Sequence, residues 1–301
     1  MRYTPRFESL ENRTVPSTVS FNPVTATLTV TGTNKRDSVV ITDDGTNNTG
    51  AVVVTGDGST LFTSGPTAGV NQVHTVIVNT LGGKKDSVVY NLTGNMVANN
   101  RSITATLGNG KNDKFEADVN GNLVNSFLLL QATGGSGGDT LLGTMTGSLN
   151  GASFLGFIYK GGTGKDNINI DATNSVAIGP LAQLTVEADG GSQADSIAVG
   201  YEGQMQGALF LSAAGSAGND HVGADVTFDG ISNGLLFGPM SPNSGKAAAQ
   251  VTGGGGKDHL SFEVDLSGTL KPASAAEIDG GAGQDFCTPV GAITGVFNSE
   301  Q

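Results

Sequence analysis

Alternating apolar and polar positions recur along most of the chain, and each alternating stretch follows a glycine-rich turn that ends in Asp. Counted from that Asp, positions +2, +4 and +6 read Val88, Tyr90, Leu92 in one copy, Ile168, Ile170, Ala172 in another and Leu260, Phe262, Val264 in a third. A second alternating stretch precedes the turn at −11, −9 and −7, as in Leu128, Leu130, Ala132 and in Leu184, Val186, Ala188. The positions between are mostly polar or small. Period-two alternation predicts strands with one buried face, so each unit carries at least two strands flanking one turn. Helix signals are nearly absent, because no stretch keeps a 3.6-residue period without a glycine interrupting it.

The turns repeat at a fixed distance. Their aspartates are Asp37, Asp86, Asp113, Asp139, Asp166, Asp195, Asp220, Asp258 and Asp285, separated by 49, 27, 26, 27, 29, 25, 38 and 27 residues. A period near 26 is that of a solenoid whose units bury their apolar faces only against their neighbours. The predicted fold is all-β: a parallel β-helix, or β-solenoid, with coils of about 26 residues and one Gly-Asp turn per coil, stacked at the inter-strand spacing of about 4.8 Å. The 49-residue gap reads as two periods, with a cryptic coil between Thr46 and Thr63. The 38-residue gap reads as one period plus an insertion around 230–246 that is rich in Gly, Pro and Ser. Residues 1–20 read as a polar leader and 21–301 as a single solenoid domain, with Phe21 to Val30 and Ile293 to Phe297 as candidate caps.

Composition narrows the partners. A net charge of −12, from 15 Lys+Arg against 27 Asp+Glu, repels phosphate backbones and favours cations, so no nucleic acid is expected. No run approaches the roughly 18 apolar residues of a membrane span. The single cysteine, Cys287, excludes a disulfide framework and a multi-thiolate zinc site.

Three turns, Gly134-Gly135-Ser136-Gly137-Gly138-Asp139-Thr140-Leu141, Gly161-Gly162-Thr163-Gly164-Lys165-Asp166-Asn167-Ile168 and Gly253-Gly254-Gly255-Gly256-Lys257-Asp258-His259-Leu260, fit G-G-x-G-x-D-x-U in full, and Gly280 to Cys287 fits with Cys in the apolar place. In these turns the chain resembles the RTX, or hemolysin-type, calcium-binding repeat family. The resemblance implies Ca²⁺ held by turn carbonyls and by the Asp carboxylate, a hard oxygen of the kind calcium prefers. The metal residues it points to are Gly135, Gly137, Asp139, Gly162, Gly164, Asp166, Asp195, Asp220, Gly254, Gly256, Asp258, Gly281, Gly283 and Asp285. Two departures stand against it: there is one such turn per coil of about 26 residues where the family carries two per 18-residue coil, and the turns at Asp86, Asp113, Asp195 and Asp220 are eroded. Several turns also place Lys beside the Asp, at Lys85, Lys165 and Lys257. The structural alternative is a corner in which Asp caps backbone amides. The stretch Pro5 to Pro16 resembles the LEPR-type sorting motifs of bacterial surface proteins, with Asn12 where that pattern has Pro.

The expected function is therefore that of a non-enzymatic, extracellular or cell-surface solenoid, a structural or adhesive envelope component with calcium ions and envelope or matrix polymers as partners. The alternative is a β-helix polysaccharide lyase or hydrolase. Position +5 after the repeat Asp carries Asp118, Asp171, Asp225 and Glu263, an outward acidic column in which Asp225 and Glu263 occupy adjacent coils, and paired carboxylates are what a glycoside hydrolase needs. A groove floored by these two beneath the insertion would favour the enzyme. Against it, aromatic residues fall largely in inward register, and only isolated bases such as Arg101 and Lys114 are present to stabilise a uronate enolate. His221 and His259 should stack outside on neighbouring coils, where with Asp220 and Asp258 they could hold a transition metal or simply decorate the surface. His74 reads as structural. Cys287 reads as a small inward hydrophobe.

Overall fold

The computed structural model describes residues 17–297, except 48–50, 66–71, 84, 175, 230–233, 241–246 and 267–273. The proposed sorting motif, both ends of the insertion and its one charged residue, Lys246, lie outside the described residues. Every regular element described is a strand. The strands preceding the turns form one twelve-stranded sheet, and those following them form an eleven-stranded sheet. Successive coils pair in parallel and in step, so that Leu128 lies beside Leu155, then Leu184, then Leu209. Branched and aromatic residues that fill one face of each strand thus become continuous inner columns. Val88, Phe115, Leu141, Ile168, Ile197 and Val222 are each 0–1% exposed, and one connected cluster of such residues runs the length of the coil stack. Full burial of a Leu or Phe side chain contributes about 1.5–3 kcal/mol, so this core is the main adhesive between coils.

A third side closes the middle coils. Met96–Val97, Leu123–Val124 and Leu149–Asn150 form a short parallel sheet, continued by single bridges from Leu149 to Ile178 and from Ile178 to Met205. The 38-residue interval is one coil with an excursion: its strand Leu235–Phe237 adds to the pre-turn sheet beside Ala208–Ala217.

The 49-residue gap differs from expectation. Asp37 and Asp86 belong to adjacent coils, since the Asp37 amide donates to Asp86 Oδ1 at 2.8 Å. In place of a cryptic coil, Val52–Gly56 pairs antiparallel on Ser38–Asp43 and Ser59–Thr63 pairs antiparallel on Val52–Gly56, while Thr18–Asn22 pairs antiparallel on Thr27–Thr31. Phe21 packs on Phe62 with ring centroids 5.5 Å apart, joining the two flaps. Antiparallel strands turn the chain back on itself, so both sheets end here in hairpins rather than in another coil.

Beneath those hairpins lies a buried ion pair. Arg101 Nε donates to Asp43 Oδ2 at 3.0 Å, and the two side chains are 1% and 0% exposed. The Tyr90 hydroxyl also donates to Asp43, and Arg101 donates further to the Thr46 carbonyl and to Asn99 Oδ1. Arg101 stands in register with Leu128, so a charge replaces the leucine of that inner column where the flap closes the stack.

At the opposite end the sheets finish on Phe286–Gly291 and Gly295–Phe297, which continue the parallel order. The amides of Phe286 and Ala292 donate back to the preceding coil, so by alternation residues 287 and 289 direct their main-chain groups away from it, at the edge of the described sheet. Position 289 is Pro, which has no amide hydrogen.

Candidate functional site

The repeat aspartates form a ladder inside the corner. Each amide donates to the Oδ1 of the next Asp: Asp113 to Asp139 at 2.9 Å, Asp139 to Asp166 at 2.7 Å, Asp166 to Asp195 at 2.8 Å, Asp195 to Asp220 at 2.8 Å, Asp220 to Asp258 at 2.8 Å and Asp258 to Asp285 at 3.1 Å. The carboxylate oxygen thus stands where a neighbouring strand would supply a main-chain carbonyl. Each Asp carbonyl in turn accepts the amide of the residue after the next Asp, as Asp139 does from Asn167 at 2.8 Å. All nine aspartates for which the sequence showed the period are in register, and the six named as metal residues are 1–3% exposed.

The second oxygen changes along the column. At Asp37 it accepts the Thr33 amide at 2.7 Å, and at Asp86 that of Gly83 at 3.2 Å. From Asp113 onward, Oδ2 is buried with no hydrogen-bond partner at Asp113, Asp139, Asp166, Asp195, Asp220, Asp258 and Asp285. It rests on a glycine: a Cβ at Gly134 would lie 2.7 Å from Asp139 Oδ2, and one at Gly161 would lie 2.5 Å from Asp166 Oδ2. Glycine opens the first motif position because the carboxylate occupies that space. The second and fourth glycines serve a different need, with φ of 109° at Gly162 and 141° at Gly164, where any Cβ would also overlap the carbonyl of the preceding coil. Gly135, Gly137, Gly254, Gly256, Gly281 and Gly283 repeat this conformation. Eroded turns keep the path at a cost of about 1–3 kcal/mol each, with Gln193 at φ 81° and Ser216 at 74°.

Burial without a counter-ion raises the carboxyl pKa values. Desolvation is the largest cause in each case, opposed by the amide hydrogen bond and reinforced at most rungs by the neighbouring aspartates. Asp113 and Asp139 are pushed up to about 6 and Asp195 to about 7, while Asp37, Asp166, Asp220 and Asp258 are raised in the same direction.

Calcium takes about six to eight oxygens at about 2.3–2.6 Å. The oxygens of these turns are largely committed. Oδ1 accepts an amide at every rung from Asp86 to Asp285, and the carbonyls of Thr163, Ser192, Ala217 and Gly255 accept the amides of Gly137, Gly164, Gln193 and Gly218 at 2.7–3.1 Å. Among the described residues no three His, Cys, Asp or Glu side chains converge as a metal cluster. In this geometry the corner is closed by main-chain bonds, and from Asp113 onward it offers a cation one uncommitted carboxylate oxygen per rung, Oδ2.

The other sequence candidates fall on the outer face of the post-turn sheet. Asp118, Asp171, Asp225 and Glu263 lie in one column, with Asp225 directly beside Glu263. Upstream, Asp118 accepts from Thr144 at 2.6 Å and Asp171 from Thr173 at 2.6 Å. Asp225 has only the Thr227 hydroxyl at 3.5 Å, and Glu263 has no hydrogen-bond or ion-pair partner among the described residues. These two acids border a trough of about 410 Å³ whose lining includes Ala198, Gly223, Ser261 and Thr288. Two residues away along the strands, His221 stacks on His259 at 6.0 Å, and His259 meets Phe286 at 5.8 Å. The described strand of the insertion belongs to the pre-turn sheet, so it does not roof this trough. Arg101 is consumed by the buried ion pair, and Lys114 is tied to Glu116 at 2.6 Å. Cys287 is only partly buried, packed at the edge of the core on the last strand described in its sheet. His74 sits beside the Asn100 carbonyl at 3.3 Å.

Two features escaped the sequence reading. The Arg101–Asp43–Tyr90 network was signalled by Arg101 standing at −12 from Asp113, one place off the apolar register of later coils. The trough was signalled by the run Ala198, Gly223, Ser261 at position +3, where earlier coils carry Leu142 and Asn169. No family model matches the chain, and neither a curated protein nor a solved structure does.

Proposed function

We propose that the chain is a non-enzymatic structural solenoid, a stiff spacer or adhesive element of an extracellular or cell-surface layer. The observation that carries this reading is the unbroken aspartate ladder from Asp37 to Asp285, which ties every coil to the next through its own main-chain amides. Such a corner needs no substrate and stiffens the stack along its whole length. The two bases singled out for uronate chemistry are engaged: Arg101 in the buried ion pair with Asp43, and Lys114 with Glu116.

Calcium binding along this edge, as the RTX-like turns imply, is the second reading. The column of seven unpartnered Oδ2 atoms favours it, since a cation there would neutralise buried charge. Thermal unfolding followed by circular dichroism, in EDTA and again in millimolar Ca²⁺, separates the two. The spacer reading expects the same melting temperature in both buffers. A large rise with calcium, absent with magnesium, would replace the self-sufficient corner by an ion-dependent one.

A further inference from the structure

We propose that the trough beside Asp225 and Glu263 binds a positively charged glycan, an oligomer of amino sugars carrying free ammonium groups. The trough is built by a local change in side-chain size. Position +3 of the outer face runs Glu116, Leu142, Asn169 and then Ala198, Gly223, Ser261, Thr288, so the floor drops where the last coils begin. The resulting volume of about 410 Å³ falls in the range of small-molecule sites, about 300–1,000 Å³.

Its two walls differ in chemistry. Beside the lining on one side, two residues before the floor along each strand, the rings of His221, His259 and Phe286 form a continuous row along the solenoid axis, with Phe286 55% exposed. On the other stand Asp225 and Glu263 in register on adjacent coils. The floor contributes the hydroxyls of Ser261 and Thr288. Flat ring faces, hydroxyls and carboxylate acceptors together suit a sugar, which presents C–H faces and hydroxyl donors at once. The sign of the sugar's charge follows from the carboxylates. The acids of the same column in earlier coils are satisfied by threonines, whereas Glu263 has no partner among the described residues and Asp225 only a 3.5 Å contact. No Lys or Arg lines the trough, so a polyuronate would meet uncompensated repulsion, while an ammonium group would complete the wall. This inference deepens the reading of the chain as an adhesive element and rests on that reading only in taking the trough as non-catalytic.

The test is calorimetric titration of the whole chain with glucosamine oligomers, with oligogalacturonate and with a lysine-rich peptide. Saturable binding of the glucosamine oligomer alone is expected. It should weaken by about tenfold or more in Asp225→Asn combined with Glu263→Gln, and also in Gly223→Leu, which fills the floor. Asp171→Asn, in the same column but outside the trough, should leave it unchanged. Circular dichroism melts of each variant guard against misfolding, and ring resonances of His221 and His259 in the wild-type chain should shift on titration. Absence of saturable binding, undiminished binding in the charge variant, or equal binding of the peptide would overturn the proposal. Shortening of the oligomer, read by mass spectrometry, would overturn the non-catalytic reading while leaving the binding site in place.

Discussion

Two columns of acidic residues run parallel along this solenoid, five residues apart in sequence, and they have opposite fates. The corner aspartates are 1–3% exposed, take part in the main-chain ladder and have raised pKa values. The outer acids, Asp118, Asp171, Asp225 and Glu263, face solvent or nearly so and are held, where held at all, by threonine hydroxyls and, at Asp171, also by the Thr173 amide. Residue type is the same in both; what differs is parity relative to the buried positions and the presence of a glycine with no Cβ to obstruct the carboxylate. An acid becomes a structural component when it replaces a carbonyl that the turn would otherwise have to supply.

The strongest way to break this contrast is to fill the glycine path. Gly164→Ala places a Cβ on the Gly137 carbonyl at a φ of 141°, and a loss of about 3 kcal/mol or more is expected in denaturant unfolding, while alanine at the exposed Gly255 should have little effect. Next in size, Asp195→Ala removes the acceptor of the Asp166 amide and should cost about 2 kcal/mol. Asp195→Asn keeps an acceptor oxygen in place and should fall within about 1 kcal/mol of the parent at pH 7.

The pH profile sharpens the contrast further. A carboxyl raised from 3.8 to about 6 or 7 binds its proton more tightly in the folded chain than in the unfolded one, so stability falls as pH rises between about 4 and 7. The melting temperature in EDTA should therefore be higher at pH 5 than at pH 8, and Asp195→Asn should flatten that slope. An unchanged or inverted slope would mean that the corner carboxyls bind their protons no more tightly in the folded chain than in the unfolded one. The smallest effect belongs to the outer column: Asp171→Ala should shift stability by no more than about 0.5–1 kcal/mol and leave the pH profile as it was.

The period, the alternation and the parallel stacking were legible in the sequence because they depend on local spacing repeated many times. Val88, Ile168 and Leu260 are buried where counting from the Asp puts them. The same counting, extended back to position zero, gives the Asp the parity of the buried set. What spacing could not reveal depended on contacts between distant segments. Asp37 and Asp86 are adjacent because a hairpin, not a coil, fills the residues between them, and the Thr46 to Thr63 region carries alternation that suits either. Arg101 was visible as an isolated base, but its partner Asp43 lies 58 residues away. The trough needed three coils in register before the small residues at Ala198, Gly223 and Ser261 became a single floor.

Pro289 gives the last strand of the post-turn sheet an asymmetry of its own. Phe286–Gly291 is fully paired on its inner side, yet midway along its outer side one donor is missing between Cys287 and Gly291. A solenoid edge is otherwise a self-complementary seed, on which a strand from another molecule could nucleate fibre growth. With a proline at its centre, an incoming strand would have to bridge a gap in the bonding pattern before it gained the next contact. Among the described residues, this outermost strand thus presents a broken bonding pattern to any incoming strand, much as a missing tooth halts a zip.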